Sequence, residues 1–132
     1  MPSLKLEELR VYLIAEKVAD AIWQVVSAWE PFARDTVGRQ LVRAADSIGA
    51  NIAEGYGRGS FADNKRFVKI ARGSLYEVRH FLRRADKRGL ISPEHRKLLH
   101  PLLKELPPTL NAYLKSIGPI SPSNDEAPTN GK

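Results

Sequence analysis

Apolar residues return every three or four positions along almost the whole chain, and no stretch alternates with the period of two that a half-buried strand requires. A fold built on this pattern is made of amphipathic helices. The pattern falls into four runs separated by proline or glycine. The first predicts a helix over 7–29, with Val11, Ala15, Val18, Ile22, Val25 or Val26, and Trp29 on one face. Pro31 is its expected stop, because the residue before a proline is pushed out of the helical region. The second run predicts a helix over 35–54, with Val37, Leu41, Ala44, Ile48 and Ile52 on one face, broken by Gly55, Gly57 and Gly59. In the third, Ser60 and Asp63 resemble a shortened capping box, and the helix continues to about 88, where Gly89 closes it.

Ser92-Pro93-Glu94 opens the fourth: a cap, a proline at the first helical position and an acid in the first turn. Leu98, Leu99, Leu102, Leu103 and Leu106 form its apolar face. Pro101 and the pair Pro107-Pro108 are expected to kink or split it, since proline removes a backbone donor and clashes with the preceding turn. That leaves a last piece over 109–117 carrying Leu110, Tyr113 and Leu114. Four helices with short connections predict an all-α, antiparallel up-down four-helix bundle occupying 1–117. A polar, Pro/Ser/Asn-rich tail over 118–132 is expected to be disordered.

The chain has 132 residues, enough for one domain to bury a core without staples. It contains no cysteine, which excludes disulfides, thiolate metal sites and a cysteine nucleophile. Residues 1–9 lack the apolar run of a signal peptide, and no segment has the roughly 18 apolar residues of a membrane span. A cytoplasmic protein with no membrane partner is expected.

Charge is unevenly placed. The formal net charge is +6, and residues 61–90 alone hold nine Lys or Arg against three Asp or Glu. Residues 1–30 carry three bases and five acids. On a helical wheel centred on Lys65, the residues Lys69, Arg72, Tyr76, Arg79, Arg83 and Lys87 all fall within about 40°. Phe67, Ala71, Leu75, Val78, Leu82 and Ala85 lie on the opposite side. The third helix thus predicts one packing face and one face of six bases with an aromatic among them, spread over about 33 Å. Cations at such spacing suit the phosphates of RNA or DNA, with Tyr76 placed to stack on a base. The same face also suits an acidic protein partner, such as the acid-rich first helix of a neighbouring copy, or plain solvation.

No reaction chemistry stands out. Gly55-Tyr56-Gly57-Arg58-Gly59 follows a helix rather than a strand and has no Gly-Lys-Ser/Thr ending, so it is not a nucleotide loop. Arg58, beside the start of the third helix, remains a candidate for holding one phosphate. His95 and His100 are about 140° apart on a helix and do not share a face as metal ligands would. His80 lies among bases and reads as a surface residue, and Ser74 has no base placed beside it. No catalytic set, metal or cofactor is expected.

The run Ser47-Ile48-Gly49-Ala50-Asn51-Ile52-Ala53-Glu54-Gly55-Tyr56-Gly57-Arg58, followed by Ile70-Ala71-Arg72-Gly73-Ser74-Leu75-Tyr76-Glu77, resembles a known family. Gln40-Leu41-Val42-Arg43-Ala44-Ala45 and Phe67 match it too. The family is that of the four-helix bundle proteins encoded in intervening sequences of bacterial 23S rRNA genes, also called S23 ribosomal proteins. The resemblance covers about 7–117 and implies a homopentameric ring. It extends to the accessory proteins of diversity-generating retroelements, which contact nucleic acid and a reverse transcriptase. It further implies a structural role for Asn51, Glu54, Gly55 and Arg72: Glu54 pairing with Arg72 between the second and third helices, with Asn51 capping or bridging. Gly49 stands where the family often has proline, Asn64 where an aromatic is usual, and Pro107-Pro108 where the last helix is normally continuous.

Overall fold

The computed structural model describes residues 4–119, so from residue 120 onward the expected tail lies outside the described residues. A short 3-10 turn, Leu6–Glu8, precedes four long helices: α1 (Arg10–Ser27), α2 (Arg39–Tyr56), α3 (Phe61–Lys87) and α4 (Pro93–Ser116). Neighbours in sequence are neighbours in space, α1 also lies along α4, and the closest association is between α2 and α3. Every adjacent pair runs antiparallel. Arg10 pairs with Glu105 while the Trp29 indole N–H reaches the Leu90 carbonyl at 2.9 Å, which sets α1 against α4. Gly49 lies against Tyr12 and Ala15, and Gly38 against Val26, which sets α2 against α1. Ser47 bonds Ser74 while Gly55 abuts Asn64, and Asp86 bonds Arg96 while Asn64 approaches Tyr113, completing the up-down circuit.

The core follows the helical pattern. Val11, Ala15, Val18, Ile22, Val25, Val26 and Trp29 are buried from the first run, and Val37, Leu41, Ala44, Ile48 and Ile52 from the second. In α3 the buried set is Val68, Ala71, Ser74, Leu75, Val78 and Ala85, whereas Phe67 and Leu82 are only half-buried. Ser74 enters the core because the Ser47 hydroxyl donates to it across the α2/α3 seam, while its own hydroxyl reaches the Ile70 carbonyl at 3.3 Å. A buried hydroxyl so satisfied carries little desolvation penalty.

Several boundaries differ from the sequence pattern. The first helix is interrupted at Leu9, whose backbone is extended, and ends at Ser27. Pro31 stops that helix but also starts the next segment: the Glu30 carboxylate caps it, accepting from the amides of Phe32 at 2.9 Å and Ala33 at 2.8 Å. The chain makes one α-turn (Pro31–Ala33), then a π-helical turn (Arg34–Gly38), and passes straight into α2. A β-carbon on Gly38 would sit 2.7 Å from Val26, so only glycine lets this turn close on α1. At the start of α3, the Ser60 hydroxyl accepts from the Asp63 amide at 3.1 Å, but the Asp63 carboxylate turns to Arg58 and Arg66 instead of returning the bond. Gly89, at φ +75°, ends α3 as the glycine position requires.

Helix α4 is not divided. It opens on Ser92, whose hydroxyl accepts from the His95 amide at 3.1 Å, and runs unbroken to Ser116 with Pro101, Pro107 and Pro108 inside it. Pro101 and Pro108 lie on the exposed side, and Pro107 is half-buried. The carbonyls they leave without an amide partner belong to Lys97, Lys104 and Leu103, of which the first two are exposed to water. Leu99, Leu106 and Leu110 are buried beneath, and that packing holds the helix together.

The α2/α3 approach generates a paired prediction. A β-carbon on Gly55 would meet Asn64 Oδ1 at 2.7 Å, Phe67 Cβ at 2.9 Å and the Asn64 carbonyl at 3.0 Å. Gly55→Ala should therefore destabilise the protein by about 1–3 kcal/mol through overpacking. Gly73, mid-helix with nothing within 4 Å of its would-be β-carbon, is the control. Gly73→Ala should stabilise by about 0.5–1 kcal/mol. Urea denaturation midpoints of the two variants should move in opposite directions.

Candidate nucleic-acid interface

Burying the Val68–Ala85 side of α3 against α2 and α4 forces the opposite side outward. Lys65, Lys69, Tyr76, Arg79, Arg83 and Lys87 are all exposed there, and Arg72 is half-buried at the edge. Among the described residues, no carboxylate lies within ion-pair distance of any of these six bases. Tyr76 is 63% exposed, with the Arg79 guanidinium 5.7 Å from its ring centre. Like charges repeat four residues apart along the face, at Lys65 and Lys69 and again through Arg79, Arg83 and Lys87. Each such pair costs a helix about 0.2–0.5 kcal/mol.

Two of the three acids of α3 are engaged at its ends, and the third, Glu77, is exposed mid-helix about 120° around the wheel from Lys65. Asp63 is shared by Arg58 and Arg66 at one end of α3. At the other end Arg96 donates to Asp86 at 2.8 Å. That bond holds the Asp86 carboxyl below its ordinary value against the opposing effect of burial, with the charges of Arg96 and Lys87 adding to it. Asp86 therefore serves the α3–α4 join rather than neutralising Arg83 or Lys87.

Arg58 stands apart from the face. Its guanidinium lies 3.1 Å from Glu54, 3.6 Å from Asp63 and 5.4 Å from the Phe67 ring centre, binding the α2–α3 turn together. This corrects the expected pairing of Glu54 with Arg72. Arg58 is one helical turn beyond Glu54 and reaches it first, and Arg72 has no carboxylate partner among the described residues. Asn51 does not bridge helices either: its side-chain amide donates to the Ser47 carbonyl at 2.8 Å within α2. Gly55 has the structural part, as the point of closest approach between α2 and α3.

Residues outside the expected set extend the positive surface. Arg66 lies 4.4 Å over the Phe67 ring. Arg84 and Arg88 sit on the flank of α3 toward α2, and their cluster in the 61–90 segment was the only sequence signal for them. On the other flank, where α3 and α4 touch least, a groove of about 680 Å³ opens between Arg79, Leu82 and Arg83 and the side chains of Arg96, Leu103 and Lys104. Among the described residues no three His, Asp or Glu side chains converge as metal ligands would, and no helix is long and apolar enough to cross a membrane.

An antiparallel four-helix bundle with one unpaired cationic face is the class of protein that these features define. The chain belongs to the 23S rRNA-intervening sequence protein family, whose model matches residues 7–112 and so takes in all of α1, α2 and α3 and most of α4. That family description names no enzymatic activity. No curated protein matches the chain significantly.

The Asp86–Arg96 join carries a pH signature. A carboxyl whose value is lowered on folding contributes stability that is present at neutral pH and lost as the pH falls through its folded value. Asp86→Asn should melt slightly below the parent at pH 7. The gap should begin to close near the ordinary carboxylate value of about 4 and vanish below the depressed one. Thermal melts of both proteins across an acid pH series check this.

Proposed function

We propose that the protein is a non-enzymatic nucleic-acid-binding bundle that engages a phosphate backbone through the outer face of α3. The observation that carries this reading is the row of five exposed bases and the half-buried Arg72 over about 33 Å, with no acid partner among the described residues. Internal ion pairs would make such a face a solvated surface. Without them, its self-repulsion is relieved only by counterions or by a polyanion, and a nucleic acid gains affinity by releasing its own counterions. Tyr76 supplies a stacking surface within the row. The family's name ties it to 23S rRNA genes, which favours RNA over DNA. The family resemblance supports a homopentamer, which would present the face five times and raise avidity without new contacts.

Binding of labelled structured RNA and single-stranded DNA by fluorescence anisotropy across a salt series tests the proposal. Contact with five or six phosphates of a single strand predicts a log–log slope of roughly −3.5 to −4. Replacing Lys69, Arg79 and Arg83 with Gln should flatten it by about 2 while leaving the helical circular dichroism unchanged. Equal affinity before and after the substitution would reject the reading.

The α3/α4 groove, with its apolar floor between basic rims, favours a second reading, an acidic protein segment docked there. The same triple substitution would then lower the mass of the assembly in light scattering and leave nucleic-acid affinity untouched.

A further inference from the structure

Phe32 is the most exposed large apolar side chain among the described residues, at 77%, and nothing in a bundle core accounts for its position. It stands in the turn between α1 and α2, where Pro31 fixes the backbone and the Glu30 cap holds the Phe32 amide. Across from it, on the flank of α3, are His80, Phe81, Arg84 and Arg88. Together these side chains line one cleft of about 600 Å³, within the roughly 300–1,000 Å³ of small-ligand sites. His80 and Phe81 meet edge to face at 5.1 Å.

The cleft's lining contains no acid. Of the carboxylates around it, Glu30 is held by the amides of Phe32 and Ala33 and Asp35 by Arg34 at 3.5 Å, while Glu77, exposed on α3 one turn before His80 and Phe81, is outside the lining. Arg84 and Arg88 have no carboxylate within ion-pair distance among the described residues. Aromatic rings beside free guanidinium groups, with acids excluded, match a planar base attached to a phosphate. An acidic peptide would need the cations but not three rings, and an apolar peptide would need the rings but not the cations.

The cleft also lies on the path of the basic face. His80 follows Tyr76 by one turn and Arg84 follows His80 by another, so a strand laid along Lys65, Lys69 and Tyr76 arrives at the cleft at the loop end of α3. We propose that this cleft is a base-binding site: it takes one unpaired nucleobase against Phe32, His80 and Phe81, with the flanking phosphates on Arg84 and Arg88. The ligand class is single-stranded nucleic acid, because a paired base keeps both faces stacked within its duplex and cannot enter. This inference rests on the nucleic-acid reading above and narrows it to strands with accessible bases.

The test compares an oligothymidylate with an abasic sugar–phosphate strand of equal length and charge, measured by fluorescence anisotropy. The parent protein should prefer the strand with bases by roughly 5- to 150-fold, the range for stacking one base on an aromatic side chain. Phe32→Ala should lower that preference at least about 5-fold, to what Tyr76 supplies, while leaving affinity for the abasic strand unchanged, and Phe32→Tyr should retain it. Since Phe32 is largely outside the core, circular dichroism and mass should match the parent in both variants. Equal binding of the two strands by the parent, with both weakened by the Lys69, Arg79 and Arg83 substitutions, would overturn the base site and leave the nucleic-acid reading standing. A preference undiminished by Phe32→Ala would also overturn it, as would a change of assembly mass in that variant, which would make the cleft a protein contact. Failure of either strand to bind at low salt would overturn both.

Discussion

The seam between α2 and α3 sets the rest of the structure. At Gly55 the two backbones come so close that the missing side chain is the reason they can, with Asn64 and Phe67 filling the space a β-carbon would need. About two turns away the Ser47 and Ser74 hydroxyls bond to each other at the edge of the core. A steric contact and a polar one, both specific to register, fix how far α3 is rotated about its own axis. That rotation determines which α3 residues face water. A roll of one residue, about 100°, would carry the row from Lys65 to Lys87 toward a neighbouring helix, where unpaired bases are costly to bury. Packing and function are thus joined through one angle.

Much of this was legible in the sequence, for identifiable reasons. The burial of Ile22, Leu41, Ile48 and Ile52 follows from a period that only a helix satisfies. Ser60, Gly89 and Ser92-Pro93 mark ends because each has a local backbone task, and local tasks can be read from a few residues. What stayed hidden depended on distant partners. Ser74 reads as polar until Ser47 is seen beside it. Glu54 pairs with Arg58 one turn away, and the register of the seam, which puts Gly55 beside Phe67 and Ser47 beside Ser74, keeps Arg72 from it. The π-helical turn at Arg34–Gly38 adds a residue without altering composition or period enough to notice, and Phe32 looks like a core residue because apolarity alone does not tell inside from outside.

The positive face was visible as a wheel position, but its meaning rested on something a wheel does not show, namely where the acids go. Asp63 and Asp86 are close enough in sequence to have quenched it. The fold instead spends them at the two ends of α3, one closing the α2–α3 turn and the other tying α3 to α4. Carboxylates used as fasteners at the ends leave the basic row unpaired, with Glu77, the remaining acid of α3, off that row. The basic face is therefore as much a product of these joins as of the lysines and arginines that compose it.

The three prolines of α4 bear on how the molecule opens. A helix missing three of its internal amide donors has little order of its own and is helical because Leu99, Leu106 and Leu110 are held by their neighbours. It is also the helix that α3 grips most lightly among its bundle neighbours. When the protein loosens locally, the α3/α4 seam is the one with least to lose, while α4 keeps an association with α1 about as extensive as that of α2 with α1. α4 is thus anchored chiefly on α1, and the flank of α3 that carries Arg79 and Leu82 is the surface that is bared first where α3 and α4 part.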